Sequence, residues 1–136
     1  MITAVDTNVL LDVLLPNEAF VSSSIRALED AAANGSLVIC DLVYAELCSA
    51  FAKQRECDAF IEDLGIRVES LTRTASFLAS RIWRVYRSQG GRRTRILADF
   101  LIGAHAQEQA SQLLSRDRGF YGELFPELTL VDPTSR

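Results

Sequence analysis

The chain has 136 residues, enough for one domain, expected to span 1–136, with a core of its own. Hydrophobic residues make up 49% and charged residues 24%, a globular composition. No apolar run approaches the length of a membrane span, and Asp6 and Asp12 interrupt an N-terminal stretch that lacks a basic flank. A membrane partner and a signal peptide are therefore not expected. Taken alone, the net charge of −4 argues against nucleic acid as a partner.

In chain order, ITAV at 2–5 reads as a buried strand, and Asn8 to Leu15 as a short helix stopped by Pro16. Asn17 can cap a longer helix to about Ala33, with Asn34-Gly35 as its stop. LVIC at 37–40 is a second buried strand, after which Asp41 is placed to cap the helix LVYAELCSAFAKQ. QRECDAFIEDL forms another helix, closed by Gly65, and IRVESL at 66–71 a third strand. A long amphipathic helix runs from Thr72 to Gln89, Gly90-Gly91 breaks it, and a further helix runs from Thr94 to about Gln112. It leads into LLS, a short strand, and TLV at 129–131 is the last one. The strands lack the polar alternation of half-exposed strands and alternate with helices. This pattern predicts an α/β fold around a parallel sheet.

Cys40, Cys48 and Cys57 are odd in number and lack CxxC spacing, so neither a disulfide frame nor a zinc site is expected. They fit buried thiols in a reducing cytoplasm. Charge is distributed unevenly. From Arg73 to Arg95 there are seven arginines and no acid, so this segment carries +7 and the rest of the chain −11. Any anionic partner meets that segment first.

Most acids sit in polar surroundings and read as solvated. Four do not. Glu46 lies one turn from Val43 and from Ala50, at the edge of an apolar face, where a carboxylate needs a partner. An arginine from elsewhere and a functional role both satisfy that need. Asp99 opens a helix whose Gly103, Ala106 and Ala110 share one side. It can serve the helix dipole, or face an element that packs closely there. Asp6 and Asp117 each follow a strand, where turn aspartates are ordinary. In a parallel sheet, however, ligands bind beyond the carboxyl ends of the strands where the strand order reverses. If the strands before Asp6 and Asp117 are neighbours, all four carboxylates can converge. Hard divalent cations are the counter-charge for such a set. Paired cations would activate water and stabilise a leaving oxygen in phosphodiester cleavage.

With these motifs in order, the sequence resembles the PIN-domain ribonucleases, and among them the VapC-type toxins of VapBC toxin–antitoxin systems. DTNVLLD at 6–12 matches the opening motif and Glu46 the second acid. ADFLIGAHA at 98–106 matches the third motif and SRDRGF at 115–120 the last, with Ser115 where Thr is commoner. The resemblance implies a three-layer α/β/α fold with a central five-stranded parallel sheet. It also implies endoribonuclease activity dependent on Mg2+ or Mn2+, a homodimer, and a cognate antitoxin that silences the enzyme.

The expected metal-binding and catalytic set is Asp6, Glu46, Asp99 and Asp117, with Asp6 and Asp99 direct ligands of a shared ion and the other two acting through water. Asn8 and Ser115 would orient the carboxylates or a bound water, although Asn8 or Thr7 can equally cap the first helix. Asp12 is read as structural. His105, the single histidine, is expected to be partly buried and satisfied, and Gly103 to serve packing. Arg81, Arg84, Arg87, Arg92, Arg93 and Arg95 form the expected surface for RNA or for the antitoxin. On the 72–89 helix, Leu78, Ile82, Val85 and Tyr86 are expected to share the side opposite Arg81, Arg84 and Arg87. A haloacid-dehalogenase-type phosphatase would need a second acid where Asn8 stands and a downstream lysine, and Lys53 is the single lysine. A PIN fold kept as an RNA- or protein-binding scaffold is the non-enzymatic alternative.

Overall fold

Apolar residues dominate the central strands, so the middle of the sheet is covered on both faces, while the edge strand IRVE at 66–69 carries Arg67 and Glu69 and is partly open. The structure, a computed structural model, describes residues 1–91 and 97–135. Its strands are β1 (Ile2–Val5), β2 (Ser36–Cys40), β3 (Ile66–Glu69), β4 (Gln112–Leu114) and β5 (Leu130–Val131), all parallel, in the order β3-β2-β1-β4-β5. Ala4 at the centre faces Val38 of β2 and Leu113 of β4 in register. Seven helices among the described residues complete a three-layer α/β/α fold: α1 (Thr7–Leu14), α2 (Val21–Ala33), α3 (Asp41–Cys48), α4 (Gln54–Asp63), α5 (Arg73–Ser88), α6 (Leu97–Gln109) and α7 (Arg118–Leu124). None is long and apolar enough to cross a membrane.

The order of the strands positions the site. From β1 the chain winds outward through β2 to β3, then returns to β4 on the other side of β1 and goes on to β5. The winding reverses between β1 and β4, and the crevice beyond their carboxyl ends is where α/β sheets bind ligands. Asp6 directly follows β1, and Ser115, Arg116 and Asp117 directly follow β4.

Several boundaries differ from the sequence reading. α2 begins at Val21, not after an Asn17 cap. Asn17 instead closes a turn, its Oδ1 accepting from Ala19 N (3.1 Å) and its carbonyl from Phe20 N and Val21 N (2.9 and 2.7 Å). Cys40 stands at the N-cap of α3 without a side-chain capping bond, and Asp41 is already in the first turn. It ends at Cys48, because Ser49 Oγ bonds back to the Glu46 carbonyl (2.6 Å) and the amides of Ala50 and Phe51 tighten onto residues three back. Gln54 then starts α4, where the Glu56 carboxylate accepts the Lys53 amide at 3.0 Å.

Within α5 the buried line is Ala75 and Ala79, continued by the half-buried Ile82 and Tyr86. Val85 is 51% exposed, contrary to its expected place on that side. Six residues on from Ala79, it falls about 120° away around the helix. α7 has no counterpart in the sequence reading. Its sequence RGFYGEL has two glycines and no side-chain cap, and a helix this short is unstable on its own. Packing makes it: Phe120 stacks edge-on against Phe100 with ring centres 5.1 Å apart, and Tyr121 and Phe125 complete the cluster. The three cysteines are free thiols, with Cys48 Sγ 3.3 Å from Cys57 Sγ.

Candidate active site

Asp6 is held on both carboxylate oxygens. It sits in extended backbone at the N-cap of α1, with its amide bonded to the Leu114 carbonyl of β4 at 2.9 Å. Oδ1 accepts from Thr7 N (2.8 Å), while Oδ2 accepts from Ser115 Oγ (2.7 Å) and Asn8 Nδ2 (3.3 Å). Asp6 itself therefore caps α1; Thr7 and Asn8, the expected caps, have other partners. Burial pushes the Asp6 carboxyl above its ordinary range and the Glu46 charge adds to this, while the hydrogen bonds from Ser115, Thr7 and Tyr121 pull the other way.

Asn8 and Ser115 knit the two strand ends together. Asn8 Nδ2 lies 3.3 Å from Ser115 Oγ, and Asn8 Oδ1 accepts the Arg116 amide at 3.1 Å. Ser115 Oγ, buried, donates to Asp6 and accepts from the Asp117 amide at 3.0 Å. Asp117, half-buried, stands at the N-cap position of α7. Asp99 lies half-buried in the first turn of α6. Glu46 is exposed on α3 and accepts from Thr7 Oγ1 at 2.8 Å, so a hydroxyl partners it there rather than an arginine.

Tyr121 marks where these groups meet. Its side chain is 1% exposed, and its hydroxyl hydrogen-bonds to Asp6 and feels the charges of Asp6, Asp99 and Asp117. Burial, then these carboxylates, raise the phenol far above its ordinary range, so it stays protonated as a donor. Sequence reasoning missed it, because FYGELF reads as core and only the fold turns the hydroxyl toward the acids.

Among the described residues no three acids, histidines or cysteines close on one point tightly enough to enclose an ion. Asp6, Asp99 and Asp117 gather around Tyr121, and Glu46 reaches the group through Thr7. An all-oxygen set, anionic, open on the Glu46 side and partly buried on the Asp6 side, suits a hard divalent cation that keeps several of its waters.

Other singled-out residues serve the frame. Asp12, 3% exposed, is paired with Arg116 at 2.8 Å. His105, 1% exposed, donates from Nε2 to Glu69 at 3.0 Å, and Gln109 bonds the same oxygen at 3.2 Å. A Cβ on Gly103 would lie 2.6 Å from the Phe125 ring, which explains the glycine by packing. Arg81, Arg84 and Arg87 are exposed on α5; Arg81 stacks over Phe77 (4.5 Å) and Arg87 over Trp83 (5.0 Å). Arg92, Arg93 and Arg95 lie outside the described residues.

A parallel sheet whose winding reverses between β1 and β4, with carboxylates at that switch point, defines a three-layer α/β class. The chain matches the PIN domain family over residues 3–122 and belongs to it. The fold is shared with VapBC-1 from nontypeable Haemophilus influenzae, with a TM-score of 0.76 at 19% identity over 99% of this chain and 100% of that one. VapBC2 from Rickettsia felis, solved bound to a DNA fragment from its promoter, is similar with a TM-score of 0.74 at 22% identity, over 97% and 98%. FitAcB from Neisseria gonorrhoeae gives 0.66 at 21% identity, over 98% of each chain. No curated protein matches the sequence.

Proposed function

We propose that this PIN domain is a metal-dependent endoribonuclease toxin that hydrolyses RNA phosphodiester bonds and is neutralised by a cognate antitoxin protein. The observation that carries the reading is Asp6: a buried carboxylate at the strand switch, fixed by donors on both oxygens, with Asp99 and Asp117 bearing on the same tyrosine. Burying a carboxylate among like charges is costly, and it is retained where a cation offsets the cost.

Asp6 and Asp99 would hold Mg2+ or Mn2+ directly, and Glu46 and Asp117 through water. The bound cation supplies Lewis acidity at the phosphate and lowers the pKa of a water near it. The chain's own work is positioning. Ser115 and the Thr7 amide fix the direction of the Asp6 oxygens, and Tyr121 holds its proton and donates to Asp6. Thr7 holds Glu46 at the solvent edge. Arg81, Arg84 and Arg87, with Arg92, Arg93 and Arg95, would attract the RNA backbone or an acidic antitoxin segment. Structural relatives solved as toxin–antitoxin complexes support a partner of that kind. A homodimer in the cytoplasm completes the reading.

The competing scaffold reading draws on the absence, among the described residues, of three donors closed on one point. One assay separates the two. Purified protein is incubated with structured RNAs in Mn2+ or Mg2+, then with EDTA. Cleavage is expected with metal alone, and Asp6→Asn and Asp99→Asn should each lower it at least about 100-fold. Uncut RNA under both metals, or variants that cut like the parent, would establish the scaffold instead.

A further inference from the structure

The opening motif ends in a second aspartate that the proposed chemistry leaves unused, and the last motif contains an arginine with the same status. The two meet. Arg116 Nε donates to Asp12 Oδ2 at 2.8 Å and Nη2 to Asp12 Oδ1 at 3.0 Å, a bidentate pair. Ser24 Oγ donates to Asp12 Oδ2 at 2.8 Å, and the Arg116 guanidinium lies over the Phe20 ring at 4.0 Å. Arg116 is thereby committed on its charge, its fork and its flat face, which leaves it little to offer to RNA.

We propose that Arg116 is a positioning residue: clamped by the buried Asp12, it holds the 115–117 turn so that the Ser115 hydroxyl stays on Asp6 and the Asp117 amide stays on that hydroxyl. The inference rests on the nuclease reading and adds to it the device that aligns its two strand ends. Three side chains of one short segment reach across to the same turn. Asp6 takes the Ser115 hydroxyl, Asn8 takes the Arg116 amide, and Asp12 takes the Arg116 guanidinium. Asp6 and Asp12 are six residues apart, about 9 Å along a helix. The bonds at Asp6 and Asn8 lie close to the carboxylates, whereas the one at Asp12 is remote. A remote bond resists rotation of the turn, which the near ones alone allow. The fork matters because two parallel bonds fix the orientation of the guanidinium, which a single ammonium bond does not.

Truncating Arg116 alone would strand a buried aspartate, so the test replaces both partners. Asp12→Leu/Arg116→Met removes the clamp while keeping apolar bulk, and Arg116→Lys keeps the charge without the fork. Three measurements are made on the full chain: thermal unfolding, amide hydrogen exchange at Arg116 and Asp117 without metal, and Mn2+ affinity by calorimetry. In the double variant these two amides should exchange at least about tenfold faster, and Mn2+ should bind about tenfold more weakly, with Arg116→Lys intermediate. The Mn2+ concentration for half-maximal RNA cleavage should rise by the same factor, with kcat recovered at saturating Mn2+. Parent-like exchange and affinity in the double variant overturn the clamp, whatever its melting temperature. If that variant does not fold, parent-like values in Arg116→Lys overturn it equally. A parent that binds no Mn2+ defeats the metal reading and the clamp's purpose with it, whereas parent-like Mn2+ binding in the variants defeats the clamp alone.

Discussion

Asp6 carries two duties in one carboxylate. Oδ1 caps α1 through the Thr7 amide, and Oδ2 takes the Ser115 hydroxyl from the neighbouring strand end. Both duties need an acceptor, and neither needs the negative charge. The charge is a burden in the metal-free protein, because burial disfavours it and Glu46 adds repulsion. Asp6→Asn keeps an acceptor for Thr7, while on the other side its amide replaces an acceptor and the Ser115 hydroxyl must turn to receive it. We expect this variant, in EDTA at neutral pH, to be more stable than the parent by about 1 kcal/mol. Mn2+ should raise the parent's melting temperature and leave the variant's unchanged. Thermal unfolding with and without metal reads both, and a destabilised Asp6→Asn would mean that the site is not strained by its own charge.

The elements around this carboxylate owe their placement to polar straps as well as to the core. α6, which opens with Asp99, is tied to β3 by His105 and Gln109, both bonded to Glu69 Oε1. Burial lowers the His105 pKa below its ordinary 6.5; the facing charges of Glu69 and Asp41 oppose the shift without overcoming it. The folded chain therefore takes up this proton at lower pH than the unfolded chain does. Above pH 6.5 the strap contributes its full stability. As pH falls below 6.5 toward the depressed value, the unfolded state protonates first and stability drops, by at most about 1.4 kcal/mol per pH unit for this one group. His105→Gln, which keeps a donor for Glu69, should flatten that part of the profile. Urea unfolding across pH 5 to 7 checks it, and an unchanged slope would remove His105 as the cause. α7 teaches the complementary lesson, since its existence depends on aromatic packing with Phe100 and Phe125 rather than on its own residues.

Across the molecule, charge is separated. The 73–95 segment holds +7 against −11 elsewhere, and the described part of it presents Arg81, Arg84 and Arg87 to solvent on α5. A polyanion gains from such a face through counterion release, without sequence preference. Charge reversal of Arg81 and Arg84 together should weaken RNA binding at low salt. It should also reduce the slope of log affinity against log salt by about 1 for each phosphate that the protein no longer neutralises. Binding titrations at several salt concentrations measure this, and an unchanged slope would turn the arginines toward a protein partner or mere solubility. The fold should be untouched, since all three side chains are exposed and no ion pair involving them is present among the described residues.

Sequence by itself determined the order and kind of nearly every element, because buried strands and amphipathic helices write their periods locally. It also determined the parallel sheet and the PIN resemblance carried by DTNVLLD, Glu46, ADFLIGAHA and SRDRGF. Local signals failed where a competing interaction outweighed them. Asn17 looks like a cap until its own turn captures it, and Val85 looks buried until the helix rotates about Ala75 and Ala79. Only the tertiary structure decided which groups share the switch point, since the adjacency of β1 and β4 joins residues more than 100 positions apart. That adjacency turns the Tyr121 hydroxyl toward three carboxylates and lets Arg116 find Asp12. It also separates the two aspartates of DTNVLLD into a candidate ligand and the anchor of a clamp, a distinction that no spacing along the chain contains.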